Sequence, residues 1–181
     1  VTAKTAQDWT REALRALSRD GMAALSVQAL ARELGVTKGS FYWHFANRQA
    51  LIDAVMATWE DVATEAIIRQ VDSTAPTAED RIRQLIEATF APGEAYNAIE
   101  SRIRQWAASD PAAATIVARV DGRRLTYVRD LLVDAGVPRE AAAMRADLFY
   151  RALIGEWAWC SHGGPPLSRD ALEHLAELVT T

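Results

Sequence analysis

A single cysteine, Cys160, stands in the 181 residues, so an internal disulfide is excluded and no metal-ligand spacing exists. No run of about 18 or more uncharged apolar residues occurs, which argues against a transmembrane helix. The first residues, Val1 to Lys4 with Asp8 and Arg11 soon after, lack the charged-then-apolar layout of a signal peptide. A soluble cytoplasmic chain without a membrane partner is therefore expected. Histidine is also scarce: His44, His162 and His174 lie far apart. There is no glycine-rich phosphate loop, no His-Glu-x-x-His and no nucleophile elbow. Neither a cofactor, a metal nor an enzyme is expected, although distant residues assembling a catalytic site remain an alternative. Cys160 sits in an apolar helix and reads as a small buried hydrophobe.

What the chain does have is apolar content, 50% of it, enough for a substantial core. Its net charge of −4 conceals an asymmetry. Residues 1–48 carry seven basic side chains (Lys4, Arg11, Arg15, Arg19, Arg32, Lys38, Arg48) against four acids (Asp8, Glu12, Asp20, Glu33). The remainder carries 13 basic and 20 acidic residues. A small basic end on an acidic body is the charge layout of a nucleic-acid reader, though solvated surface charge also explains it.

Proline and glycine cut the chain into helix-length pieces, and no alternating strand pattern appears between them. The first helix, about 3–20, ends at Asp20-Gly21. Ser26 caps a second that stops at Gly35, Thr37 caps a third over about 38–44, and Asn47 caps a long one to about Val71. Thr77 opens the next, with Asp80 in a capping-box-like role, and it ends near Pro92-Gly93. Others span about 94–108, Asp110-Pro111 to Gly136, and Pro138 to His162. Ser168 caps the last, about 169–179. The expected architecture is all-α with about nine helices.

The segment Ser26 to Val55 carries the most information. Two short helices joined by Gly35-Val36-Thr37 form a helix-turn-helix pattern, with glycine in the turn and Ala31 permitting close packing. Phe41 and Phe45 share one helix face and, with Leu30, Leu34 and Val36, make a small core. The opposite face bears Gly39, Ser40, Tyr42 and Trp43. Aromatics pointing away from the core of so small a unit suit the DNA major groove, or else a neighbouring helix.

The run Gly35 to Phe45, then Asn47-Arg48-Gln49-Ala50-Leu51, resembles the TetR family signature almost position for position, and the match extends back through Ala13–Leu17 and Gly21. The resemblance covers about residues 5–55. It implies a three-helix DNA-binding domain over 1–48 and a helical effector-binding and dimerisation domain over 49–181. Thr37, Lys38, Ser40 and Tyr42 would meet bases or adjacent phosphates, and Gly39 would allow close backbone approach. Tyr42, Trp43 and His44 would contact phosphate, Ser26 and Gln28 would anchor the preceding helix, and Arg48 would lie at a phosphate-favouring helix start. Such a protein would be a transcriptional regulator, in most cases a repressor. It would bind a palindromic operator in double-stranded DNA as a homodimer and be released by a small-molecule effector. A helix-turn-helix protein acting constitutively or through a protein partner is the alternative.

The Pro138–His162 helix, with Leu148, Phe149, Leu153, Ile154, Trp157 and Trp159, is apolar on most sides. The last helix carries Leu172, Leu175, Ala176, Leu178 and Val179. The resemblance assigns this pair to the homodimer interface; composition alone fits burial within one chain equally well. Trp59, Phe90, Tyr96, Trp106, Tyr127 and Phe149 are candidate walls of an effector pocket, each also a plausible core residue. Trp59 continues the stripe Leu51, Val55, Trp59, Val62. Arg124 interrupts the stripe Val117, Val120, Tyr127, Val128, Leu131, and a charge there is costly unless paired. Two roles are open to it: holding an anionic effector, or pairing with an acid such as Glu100 or Asp147.

Overall fold

Polar caps and glycines set most of the helix ends. In α1 (Ala6–Asp20), Thr5 and Asp8 form a reciprocal capping box, and Gly21, at φ 74°, ends the helix. Ser26 caps α2 (Val27–Leu34), and Gly35, left-handed at φ 68°, turns the chain into α3 (Lys38–Phe41). Asn47 accepts from the Ala50 N–H at the start of α4 (Arg48–Glu60). The computed structural model describes residues 4–90 and 93–181. The expected helix start at residue 3 and the stop at Pro92 lie outside that range.

Instead of one regular helix from Asn47 to Val71, α4 passes through a π-helical turn, Asp61–Glu65, into α5 (Ala66–Thr74). The widened turn inserts one residue into the helical repeat and shifts the buried face along. Val62, expected on the inner stripe, is therefore exposed, while Ala63 and Thr64 are buried. Then follow α6 (Ala78–Phe90), α7 (Glu94–Ala107), α8 (Pro111–Asp134), α9 (Arg139–Ser161) and α10 (Arg169–Thr180). Counting α4 to α5 as one rod gives nine helices and no strands among the described residues. The third helix is shorter than expected: after Phe41 the backbone tightens, with Tyr42 N–H donating to the Gly39 carbonyl.

Two apolar clusters hold the molecule together. The first joins α1–α4 around Trp9, Leu17, Leu30, Phe41 and Leu51, and reaches Ile103 of α7 and Val120 of α8. Trp9 meets the Phe41 ring edge-on at 5.3 Å, and Phe41 stacks on Phe45 at 5.4 Å. The second cluster packs α6, α8, α9 and α10 around Ile86, Leu132, Phe149 and Trp157. Leu51, Ile52 and Val55 close the core of the N-terminal head although they lie beyond residue 48, so α4 is shared between head and body. No described helix is long and apolar enough to cross a membrane.

Candidate nucleic-acid interface and body cavity

Across α3 and the turn that follows it, over 42–44, the buried and exposed faces separate cleanly. Phe41 is fully buried, whereas Tyr42 is 56% and Trp43 87% exposed. A ring so exposed forfeits the apolar burial that normally favours aromatic side chains inside. Thr37, Lys38, Gly39, His44 and Gln28 are exposed beside them, and Ser40 is half-buried. Thr37 occupies the N-cap position without a side-chain capping bond, so its hydroxyl is not spent on the helix. Ser26 is spent: its oxygen accepts from Ala29 N–H at 3.1 Å.

Gly39 has no intramolecular reason to be glycine. A Cβ built there meets only Thr37 Oγ1, at 3.7 Å, and its φ is not positive. Arg48 behaves differently from its neighbours. Its Nε donates to the Leu25 carbonyl at 2.7 Å and its second terminal nitrogen to Met22 at 3.4 Å. The guanidinium thereby clasps the turn between α1 and α2, leaving fewer donors for a phosphate.

In the body, a cavity of about 30 Å³ lies against the π-turn. Tyr96, Arg124, Tyr127 and Phe149 of the candidate wall residues line it. Trp59, Phe90 and Trp106 do not: Trp59 packs behind Arg124, Phe90 meets Phe149 edge-on and Trp106 joins the first apolar cluster. Thr64, Thr89, Tyr150 and Trp157 also line the cavity and escaped the sequence reading. Of these, only Trp157 was visible at all, as part of an apolar helix; the threonines and Tyr150 carry no periodic signal.

Arg124 is paired. Its guanidinium meets the Glu100 carboxylate at 2.8 and 3.3 Å, with Glu100 fully buried. Nε donates to Thr64 Oγ1 at 2.8 Å, and the terminal nitrogens also reach the Ala63 carbonyl at 3.1 Å and Tyr150 Oη at 3.3 Å. All five guanidinium N–H groups thus have acceptors. The rings of Trp59 and Trp157 lie on either side, each with its centroid 5.3 Å from the guanidinium carbon. Burial works against the charge, but the Glu100 carboxylate outweighs it and keeps Arg124 cationic. Trp59 Nε1–H donates to Glu100 at 2.9 Å. Asp147, the other acid considered, pairs with Arg151 on the surface.

A second pair extends the network. Arg104 grips Asp121 with two bonds of 2.9 and 2.8 Å, and Tyr150 donates to Asp121 at 2.7 Å. Burial pushes the Tyr150 phenol up to about 12, so it stays protonated. Burial also opposes the Asp121 charge, but the bonds from Arg104 and Tyr150 prevail and hold its carboxyl below the usual value. A depressed folded pKa adds stability above the unfolded value of about 3.9, lost as pH falls through the folded one. Asp121→Asn is therefore expected to destabilise the protein at neutral pH and to flatten the acid side of its melting-temperature profile between about pH 2 and 5.

A helix-turn-helix with an outward aromatic face, set on a helical body by one long rod, defines a DNA-reading regulator fold. A family model of bacterial regulatory proteins, the tetR family, matches residues 10–55. The HTH-type transcriptional repressor KstR2 of Mycobacterium tuberculosis is 31% identical, over 88% of this chain and 82% of that protein. Tetracycline repressor class A from transposon 1721 of Escherichia coli is 30% identical over 49% of this chain. The match spans 57% of that repressor's length, and the match to the class C repressor only 20% of its length. Among solved structures, a putative transcriptional regulator from Saccharomonospora viridis in complex with choline superposes with a TM-score of 0.77. Their identity is 14%, over 96% of this chain and 92% of that one, which establishes the shared fold. The chain belongs to the TetR family of transcriptional regulators. Its family and fold are those of regulators rather than enzymes.

Proposed function

We propose that this regulator is a cytoplasmic repressor that binds a palindromic DNA operator as a homodimer and lets go when a small molecule occupies its body. The observation that carries the DNA-binding part is the outward face of α3, where Tyr42 and Trp43 stand in solvent beside Lys38 and a glycine that nothing in the chain requires. Residues 1–48 form the reading head, with the first turns of α4 closing its core, and the remainder to residue 181 forms the sensing and dimerising body. Thr37, Lys38, Ser40 and Tyr42 reach bases or adjacent phosphates, while Trp43, His44 and Gln28 meet the backbone. Lys38 supplies the donor best suited to guanine. Ser26 acts indirectly, by fixing the start of α2.

Gly39→Ala separates this reading from a structural one. In helix α3 the substitution favours folding by up to about 1 kcal/mol, since alanine is the better helix former and the space is open. Its Cβ would stand where the DNA backbone approaches. An unchanged or higher melting temperature with a loss of operator affinity of about tenfold or more is expected in paired melting and titration experiments. Full operator affinity in that variant would remove the close-approach role.

The homodimer face is the outer side of α9 and α10. Met144, Leu148, Trp159 and Leu178 are each 60% or more exposed, while Phe149, Leu153 and Trp157 of the same helix are buried. An apolar row of this kind is costly in water and suits a second copy of the chain. The choline complex of a structural neighbour supports a small-molecule reading of the body. The cavity against the π-turn is the place for it, because α4 connects that turn directly to the head.

A further inference from the structure

From the hydrogen bonds lining the body cavity, we infer that its effector is an uncharged, largely apolar molecule whose oxygen accepts a hydrogen bond from the Thr64 hydroxyl. This rests on the reading of the body as a sensor and specifies what it senses. Among the described residues the only charged side chain on the cavity wall is Arg124, and Glu100 already neutralises it from behind at 2.8 Å. With every guanidinium N–H engaged, a carboxylate entering the cavity gains no free donor from Arg124 and would lie near the Glu100 charge. Its desolvation would be left without compensation. A cation finds the face of Trp157 already occupied by Arg124, and among the described residues the wall offers no carboxylate to pair with it.

Among the described residues, one hydroxyl on the wall donates to no protein acceptor. Among the hydroxyls on the wall, Tyr96 donates to the Ala63 carbonyl, Tyr127 to Asp72, Tyr150 to Asp121 and Thr89 to the Leu85 carbonyl. Thr64 accepts from Arg124 Nε and donates to no described residue, although it is only 2% exposed. A buried donor needs an acceptor, and an oxygen on a ligand supplies one in place of the water that so small a cavity admits. Accepting from a guanidinium also polarises the Thr64 O–H, which strengthens it as a donor. The remaining wall at that point is aliphatic and aromatic, including Ile67, Val128, Phe149 and Leu153.

Thr64 lies in the π-turn itself, so the ligand would grip the rod that carries the head. There the Ala63 carbonyl is held by Arg124 and Tyr96, from α8 and α7, instead of by the helix alone. A π-turn is one residue away from regular helix, and a ligand that pulls on Thr64 shifts the balance between the two. At about 30 Å³ the cavity holds little more than a water, so apolar side chains around it must part as the ligand enters.

Calorimetric titration of the full chain with three probe series tests this: methyl ketones from butan-2-one to decan-2-one, the matching carboxylates, and choline with alkyltrimethylammonium ions. The expected result is saturable binding of a ketone at least about tenfold tighter than the carboxylate or ammonium of equal length. Thr64→Ser is expected to retain ketone binding and Thr64→Val to lose it by about tenfold. Tighter binding of a carboxylate or ammonium, or equal ketone binding by a folded Thr64→Val, would overturn the inference while leaving the sensor intact. Binding of no probe in any series would overturn both. Because Thr64→Val removes the acceptor of Arg124 Nε, its melting curve is recorded first. If it does not fold, the charge preference of the unmodified protein decides the matter.

Discussion

Glu100→Gln is expected to cost about 3–5 kcal/mol of stability, because it removes the charge that compensates a buried guanidinium. For a chain of this size such a loss lowers the melting temperature by on the order of 10 °C. The structural basis is specific. Arg124 has no other carboxylate within salt-bridge distance among the described residues, and Glu100 also holds Trp59. Arg124→Met behaves differently from Arg124→Ala: methionine fills the slot between the two indoles and leaves Glu100 accepting from Trp59, whereas alanine adds a cavity. Glu100→Gln combined with Arg124→Met should therefore recover much of what Glu100→Gln loses, since removing both members of a buried pair is often neutral. Thermal melts of the single and double variants give the coupling directly. A Glu100→Gln protein as stable as the parent would mean that Arg124 finds water or another acceptor on relaxation.

Leu148→Glu is the second large effect, and it falls on DNA binding. A carboxylate in the middle of the exposed apolar row of α9 is unpaired and repels its twin across a two-fold axis. Light scattering is expected to show a monomer with unchanged helical content, since Leu148 is 62% exposed within the single chain. Operator affinity should fall by about 100-fold or more, because one head alone loses the effective concentration that a tethered second head supplies. A dimer that survives Leu148→Glu would place the interface elsewhere.

The helix ends of this fold are legible in the sequence because capping is local. Ser26, Asn47, Thr77, Asp110 and Ser168 each accept from a backbone N–H three residues on, as their types and spacing indicate. The outward face of α3 is legible for a similar reason, since Phe41 and Phe45 fix which side is in. The π-turn is not legible. A regular stripe Leu51, Val55, Trp59, Val62 fits the sequence, and it is tertiary bonds to Ala63 and Thr64 from α7 and α8 that favour the wider turn. Arg124 announces itself as a charge in an apolar stripe, but Glu100 and Asp147 remain open as partners until α7 and α8 are brought together. Arg48 lies at a helix start favourable to phosphate, yet its long side chain reaches back to carbonyls 23 and 26 residues earlier. No local pattern encodes that contact.

Sequence-specific DNA binding by the α3 face underlies every role proposed for this regulator. Selection from random duplex DNA by the purified protein, followed by titration of the enriched sequence at two salt concentrations, tests it most directly. A palindrome is expected, with half-sites about one helical turn or a multiple apart. Affinity should drop by orders of magnitude between about 50 and 200 mM salt. Recovery of no preferred sequence, with equal binding to every duplex, would contradict it.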